Sequence, residues 1–205
     1  EAAKERAASW ITNSPASTET WSPALAPGEK PDPQKILDEA NDLMAKGHYE
    51  AALQRHLWYF NHALEYNSGL TGVRLSFALS SWVKLAHRYP KAMQALTEIR
   101  DRDTQMLLTG EGSSDLFSDV NSINNYLNDS DATYALFKTL DEKNPKLARQ
   151  CYFYAESLLV QKGEYALCRK YMGDPQFRFD LIQESRETEL DVQKQMERNR
   201  AFTTK

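Results

Sequence analysis

The fold is decided by a turn that runs directly into a helix at residues 47–53, Gly-His-Tyr-Glu-Ala-Ala-Leu. Gly47 predicts a tight turn, because glycine adopts left-handed backbone conformations without strain. Apolar residues precede the turn at helical spacing: Ile36, Ala40, Leu43 and Met44. The stretch therefore predicts two antiparallel helices, with the small side chain of Ala52 where they approach each other closely.

The same pattern returns further along the chain. Residues 163–168 read Gly-Glu-Tyr-Ala-Leu-Cys, residues 89–92 read Tyr-Pro-Lys-Ala, and a weaker echo lies at residues 132–136. The small residues of the four copies are 40, 43 and 33 positions apart: Ala52, Ala92, Ala135 and Cys168. Repetition at such periods is typical of stacked helical units. We expect these four residues to lie at close helix crossings.

These copies resemble the tetratricopeptide repeat family over residues 34–172. The turn glycine, the aromatic residue after it and the small residues match at these positions: Gly47, Gly163, Tyr49, Tyr165, Ala52, Cys168, Ala40 and Ser80. Ile123 and Glu156 depart from the small residue expected on the first helix, and the unit lengths depart from the usual 34. The resemblance implies a right-handed superhelix of helix pairs that binds a protein or peptide and is not itself an enzyme.

Other helix boundaries follow from proline and capping residues. Pro90 and Pro145 are each expected at the first position of a helix, where a missing amide costs nothing. Asp129 or Ser130 is expected to cap a helix over residues 131–143. The loop at residues 109–113 is glycine-rich but lacks the lysine of a phosphate-binding loop, so it predicts a cap by Ser113, Ser114 or Asp115. No stretch alternates with a period of two, and the predicted class is all-α.

Residues 1–33 differ from the rest, because they contain five of the eight prolines. They predict an extended arm or linker. Two alternatives stand for it: a mobile tail, or an arm that docks Trp10 or Trp21 on the helices.

The helical-repeat domain is assigned to residues 34–174, and residues 175–205 to a C-terminal capping helix with a charged tail. Asp174 and Pro175 begin that helix, and Phe177, Leu181 and Ile182 are expected to cover the last repeat. We expect the remainder of this helix to be available for self-association.

Composition excludes several classes of function. The net charge of −4 argues against a nucleic-acid groove, and no stretch is apolar for the roughly 20 residues that a membrane-spanning helix needs. Two cysteines cannot form a disulfide framework, and we expect Cys151 and Cys168 to be buried thiols. The chain begins at Glu1 without methionine, so we expect that a preceding segment was removed and assign no cellular compartment.

The four histidines lie between His48 and His87, without the i, i+4 spacing of a helical metal site. We therefore predict no metal, no cofactor and no catalytic residues.

The candidate site lies on the second helix. Two apolar stripes, residues 52–66 and 53–64, account for its buried faces, and Trp58 and His62 remain on a third face. We predict one partially exposed partner-binding surface that consists of Arg55, Trp58, His62, Glu65 and Arg74. The competing interpretation is that Trp58 packs in the core. An open groove here would favour a protein- or peptide-binding scaffold, and a closed cavity the alternative, a regulatory domain with a small-molecule pocket lined by His and Trp.

Overall fold

A computed structural model of the chain describes residues 15–176, together with Phe179, Gln183, Arg186, Leu190, Lys194 and Met196. The described residues form eight helices and no strand. Contacts divide the chain into two units, residues 1–158 and 159–205. The all-α prediction is thus confirmed for the described part of the chain.

The first helix pair follows the predicted pattern. Helix α1, Pro33–Ala45, starts with a proline, and the Asp32 carboxylate caps it by accepting from the amides of Gln34 and Lys35. Gly47 makes the turn with φ of 80°, a left-handed conformation that favours glycine. Helix α2, Tyr49–Tyr66, then packs back along α1.

The third helix, α3, consists of Thr71–Val73, a π-helical turn at Arg74–Ala78 and Leu79–Ala86. A short 3-10 turn, Ser68–Leu70, precedes it. A π-helical turn inserts one extra residue and rotates the side chains around it.

Three further helices follow: α4 at Pro90–Thr109, α5 at Ser114–Tyr126 and α6 at Ser130–Lys143. Pro90 stands at the first position of α4, as predicted. Among the alternatives for the caps, the side chain of Ser113 caps α5 and that of Asp129 caps α6.

Helix α7, Pro145–Gln161, begins at the predicted proline, and the division between the two units falls within it. In the second unit, Gly163 makes a turn with φ of 75° before helix α8, Tyr165–Tyr171. The six single residues beyond Gln176 are helical. Phe177, Leu181 and Ile182, which were expected to cover the last repeat, lie outside the described residues.

Within the first unit, each helix from α1 to α5 packs on the next one, and α3 and α4 also contact α5 and α6, respectively. Ala52 and Ala92 are completely buried, as the small-residue pattern predicts, and Cys168 is also buried. Ala135 is exposed, so its predicted position at a helix crossing is wrong. Leu136 and Phe137 are the residues buried at this point of α6, so the weaker echo was misaligned with the buried face.

Candidate functional site

The structure brings four of the five predicted site residues together on the outer face of α2. The ring of Trp58 lies 5.6 Å from that of His62, and His62 Nδ1 lies 2.9 Å from Glu65 Oε1. Arg55, one turn before Trp58, donates from Nε to Glu39 Oε2 of α1 over 3.0 Å. Helical spacing alone accounts for this grouping, because residues three and four apart are neighbours.

Trp58 is not exposed as predicted, because only 4% of its surface is accessible. The indole of Trp21 meets it edge to face, with ring centroids 6.4 Å apart, and Tyr66 stacks on it at 5.8 Å. The Arg55 guanidinium lies 3.9 Å from the centroid of the Trp21 ring. Trp58 packs in a hydrophobic cluster with Ile36 and Leu37 of α1, and Trp21 lies at the edge of this cluster. The competing interpretation, in which Trp58 packs in the core, is therefore the one that the structure has.

That segment, residues 15–32, contains no helix and includes the docked Trp21. For residues 15–32, the structure therefore agrees with the docked arm and not with the mobile tail. Trp10 lies outside the described part of the chain. Ala16 is 3% exposed and belongs to the hydrophobic cluster formed around α2, α3 and α4.

Side chains of the helices hydrogen-bond to the main chain of the segment. The Gln54 carboxamide accepts from the amide of Thr20 over 2.7 Å and donates to the carbonyl of Thr18 over 3.3 Å. The Glu98 carboxylate accepts from the amide of Ser17 over 2.8 Å. Gln54 is nearly buried, so these bonds also satisfy polar groups that would otherwise be costly to bury.

The acidic residue of the segment has its own contacts. Glu19 Oε2 accepts from Asn61 Nδ2 over 3.0 Å, and Glu19 Oε1 lies 3.2 Å from His62 Nε2. His62 therefore lies between two carboxylates, those of Glu19 and Glu65.

The contacts of Ser17, near the start of the segment, also affect the pKa of Glu98. Burial acts to raise the pKa of Glu98, but hydrogen bonds from Ser17 and Gln94 outweigh it and lower the pKa below its usual value. Glu98 is therefore a carboxylate that the docked segment stabilises in its charged form.

Arg74 does not belong to this surface, contrary to the prediction. It is 8% exposed, and its two terminal nitrogens bind the oxygens of Asp119 over 2.6 and 2.7 Å. Its Nε donates to the carbonyl of Phe60 over 2.7 Å, and its guanidinium lies on the Phe60 ring. Phe60 is on a different face of α2 from Trp58, which explains why a residue in the π-helical turn cannot reach the site.

An open pocket of about 490 Å³ borders the docked segment and α1. Trp21, Arg55 and Ile36 line it, whereas Trp58 and His62 are not among its lining residues. This pocket therefore does not bring Trp58 and His62 together, and Trp58 is buried by residues of α1 and by Trp21.

Three other features bear on chemistry. Among the described residues, no group of three potential metal ligands comes together, and no helix is long and apolar enough to cross a membrane. Cys151 and Cys168 are free and buried, and burial raises the pKa of Cys151 to about 12. The Cys151 thiol is thus protonated at neutral pH and is a poor nucleophile.

Comparison with protein-family models, with curated proteins and with solved structures finds no match to the chain. The site must therefore be interpreted from its own geometry.

Sequence reasoning missed Gln54 and Glu98, the two residues that hold the main chain of the segment. Gln54 could have been found, because it lies one turn before Trp58 on the same face of α2. Glu98 is on α4, and no pattern in the sequence connects it to α2.

Proposed function

We propose that this protein is a non-enzymatic scaffold, built from tetratricopeptide-like helix pairs, that binds an extended polypeptide segment on the outer face of α2 and α4. One observation carries the proposal: this face already holds a segment of the chain, a turn at residues 15–18 that continues without helix to Trp21, through its main chain and through side-chain anchors. Main-chain bonds supply affinity and pockets for alternate side chains supply specificity in recognition of extended peptides.

Contacts between the first two predicted repeats support the tetratricopeptide-like interpretation. Tyr49 and Tyr89, which occupy corresponding positions after their turns, lie in contact with ring centroids 6.1 Å apart. The hydroxyl of Tyr89 donates to Glu50 Oε2 over 2.6 Å, and Lys91 binds the same oxygen. Corresponding residues of successive units meet when helix pairs stack in a regular array.

A peptide accounts for the site better than a small molecule does. The groups that contact the segment are spread along α2 from Gln54 to His62 and bind its main chain and side chains in turn. Small-molecule sites bury most of the ligand in a concave pocket.

The proposal is tested with a fluorescent peptide that has the sequence of residues 15–24. The full chain with Glu19→Ala and Trp21→Ala, in which the intramolecular segment is weakened, should bind this peptide in fluorescence anisotropy. Adding Gln54→Ala should weaken binding about tenfold, because two hydrogen bonds to the peptide main chain are lost.

The matched control is Gln105→Ala, which removes an exposed glutamine of α4. It should leave the affinity unchanged. A weakened-segment chain that remains folded and does not bind the peptide would reject this face as a peptide-binding site.

A further inference from the structure

We propose that the partner of this face presents a segment with the alternating chemistry of residues 17–21, Ser-x-Glu-x-Trp, and that the chain's own segment is the built-in competitor for it. The inference rests on the proposed peptide-binding function and adds the chemistry of the ligand and the intramolecular competition.

The exposure of the segment alternates with a period of two. Odd-numbered residues are partly buried against the helices: Ser17, Glu19, Trp21 and Pro23. Even-numbered residues are exposed: Thr18, Thr20, Ser22 and Ala24. An extended chain points successive side chains to opposite sides, so from Ser17 onward the odd-numbered side chains face the helices, whereas Thr18 and Thr20 contact them through their main chain. The face is therefore selective at alternate positions and tolerant at those between them.

Each contacted position has a partner of matching chemistry. At the first, the Ser17 hydroxyl and amide both bind Glu98. At the second, Glu19 meets the amide of Asn61 and the imidazole of His62. A lysine in place of Glu19 could not accept a hydrogen bond from either group.

At the third position, the indole of Trp21 is enclosed on two sides. Trp58 contacts it edge to face, and the Arg55 guanidinium covers its ring. Arg55 keeps its ion pair with Glu39 in this arrangement, so the cation is held over the ring by α1. An aromatic side chain is what such a cation and indole bind best, and aromatic anchors dominate binding energies at interfaces.

The competitor is tethered and can be displaced. The contacts that are specific to side chains end at Trp21, and residues 22–32 connect this point to the start of α1 without a helix. A short connection holds a tethered ligand at a high effective concentration. A partner segment therefore binds the intact chain weakly unless it makes more contacts than the intramolecular copy or the copy is released.

The experiment uses the full chain and the labelled peptide of residues 15–24. Binding is measured by anisotropy for the wild-type chain and for the chain with Glu19→Ala and Trp21→Ala. The variant should bind at least about tenfold more tightly than the wild type, because the competitor is weakened. Thr20→Pro provides a second release, since it removes the amide that Gln54 accepts from and restricts the backbone at residues 19 and 20. It serves if the double variant is unfolded by circular dichroism.

A peptide panel tests the alternation. Peptides changed to alanine at the positions of Glu19 or Trp21 should lose at least about tenfold in affinity for the released chain, and those changed at Thr18, Thr20 or Ser22 should stay within about twofold. Equal losses at odd and even positions overturn the proposed ligand chemistry. Equal affinity of the wild-type and released chains overturns the competition. Absence of any binding to a folded, released chain is a failure of the proposed function itself.

Discussion

Two arginines of this protein lie on aromatic rings and bind carboxylates, yet their surroundings differ. Arg74 lies on Phe60 and binds Asp119, and both partners belong to packed helices, α2 and α5. Arg55 lies on Trp21, which belongs to a segment without helix, and its carboxylate partner Glu39 is half exposed. The first arrangement joins two packed helices, whereas the second joins a helix to a segment without helix. Similar local chemistry thus has a structural role in one place and a proposed binding role in the other.

The largest expected effect is a difference in the free energy of unfolding between variants of the two arginines. Arg74→Ala leaves Asp119 and the Phe60 carbonyl without their partner in a nearly buried location, and we expect a loss of about 3 kcal/mol or more in the free energy of unfolding. Arg55→Ala removes a partly solvated ion pair and a cation–ring contact and should cost about 1–2 kcal/mol. Urea denaturation of both variants measures the difference. Equal losses would show that the docked segment is as integral to the fold as the Arg74–Asp119 pair.

The second prediction concerns acid and the inner side of α2. His56 is 1% exposed and stacks on Trp82, and burial lowers its pKa to about 3. The unfolded chain takes up a proton at this residue below about pH 6.5, but the folded chain does not until the pH nears 3. The stability that neutral His56 contributes is therefore complete above pH 6.5 and is lost as the pH falls toward 3.

Between pH 7 and pH 5 this loss should amount to about 2 kcal/mol. Urea denaturation at the two pH values measures it, and His56→Gln should reduce the pH dependence by that amount. An unchanged pH dependence in the variant would show that carboxylates, not His56, cause the acid sensitivity.

The third prediction concerns the cover of the site. Trp21→Ala removes an edge-to-face contact and a cation–ring contact, each worth about 1 kcal/mol, and should lower stability by about 1–2 kcal/mol. It should also expose Trp58 and shift the tryptophan emission to longer wavelength. Leu25→Ala is the control, since it truncates an exposed apolar residue of the same segment. A variant with unchanged emission would mean that Trp21 does not cover Trp58 in solution.

The helices and their ends could be predicted from the sequence because the deciding interactions are local. Pro90, Pro145 and Asp129 each determine where their own helix begins. Gly47 makes the turn through its own backbone conformation. The position of Trp58 outside the two assigned stripes followed from helical spacing, but the exposure predicted from it was wrong, because Ile36 and Leu37 of α1 pack against Trp58.

The cover of that face could not be predicted, because it joins residues far apart in the chain. Trp21 and Trp58 are 37 positions apart, and Ser17 and Glu98 are 81 apart, so their contacts depend on the path of the chain in three dimensions. The proline-rich composition of the segment indicates extended backbone but not whether that backbone is solvated or bound. Arg74 was assigned to the wrong surface for a related reason, since its orientation depends on a π-helical turn that no sequence pattern indicated.

The smallest expected effects distinguish neighbouring residues within the segment. Thr18 and Thr20 are held by their main chain while their side chains are exposed, so Thr18→Ala and Thr20→Ala should change the free energy of unfolding by less than about 0.5 kcal/mol. Glu19→Ala removes the contacts with Asn61 and His62, which are partly solvated, and should cost up to about 1 kcal/mol. Thermal denaturation of the three variants side by side measures the order. If either threonine variant loses more stability than the glutamate variant, the odd-numbered side chains are not the ones that face the helices. The segment would then be part of the core, as Arg74 is.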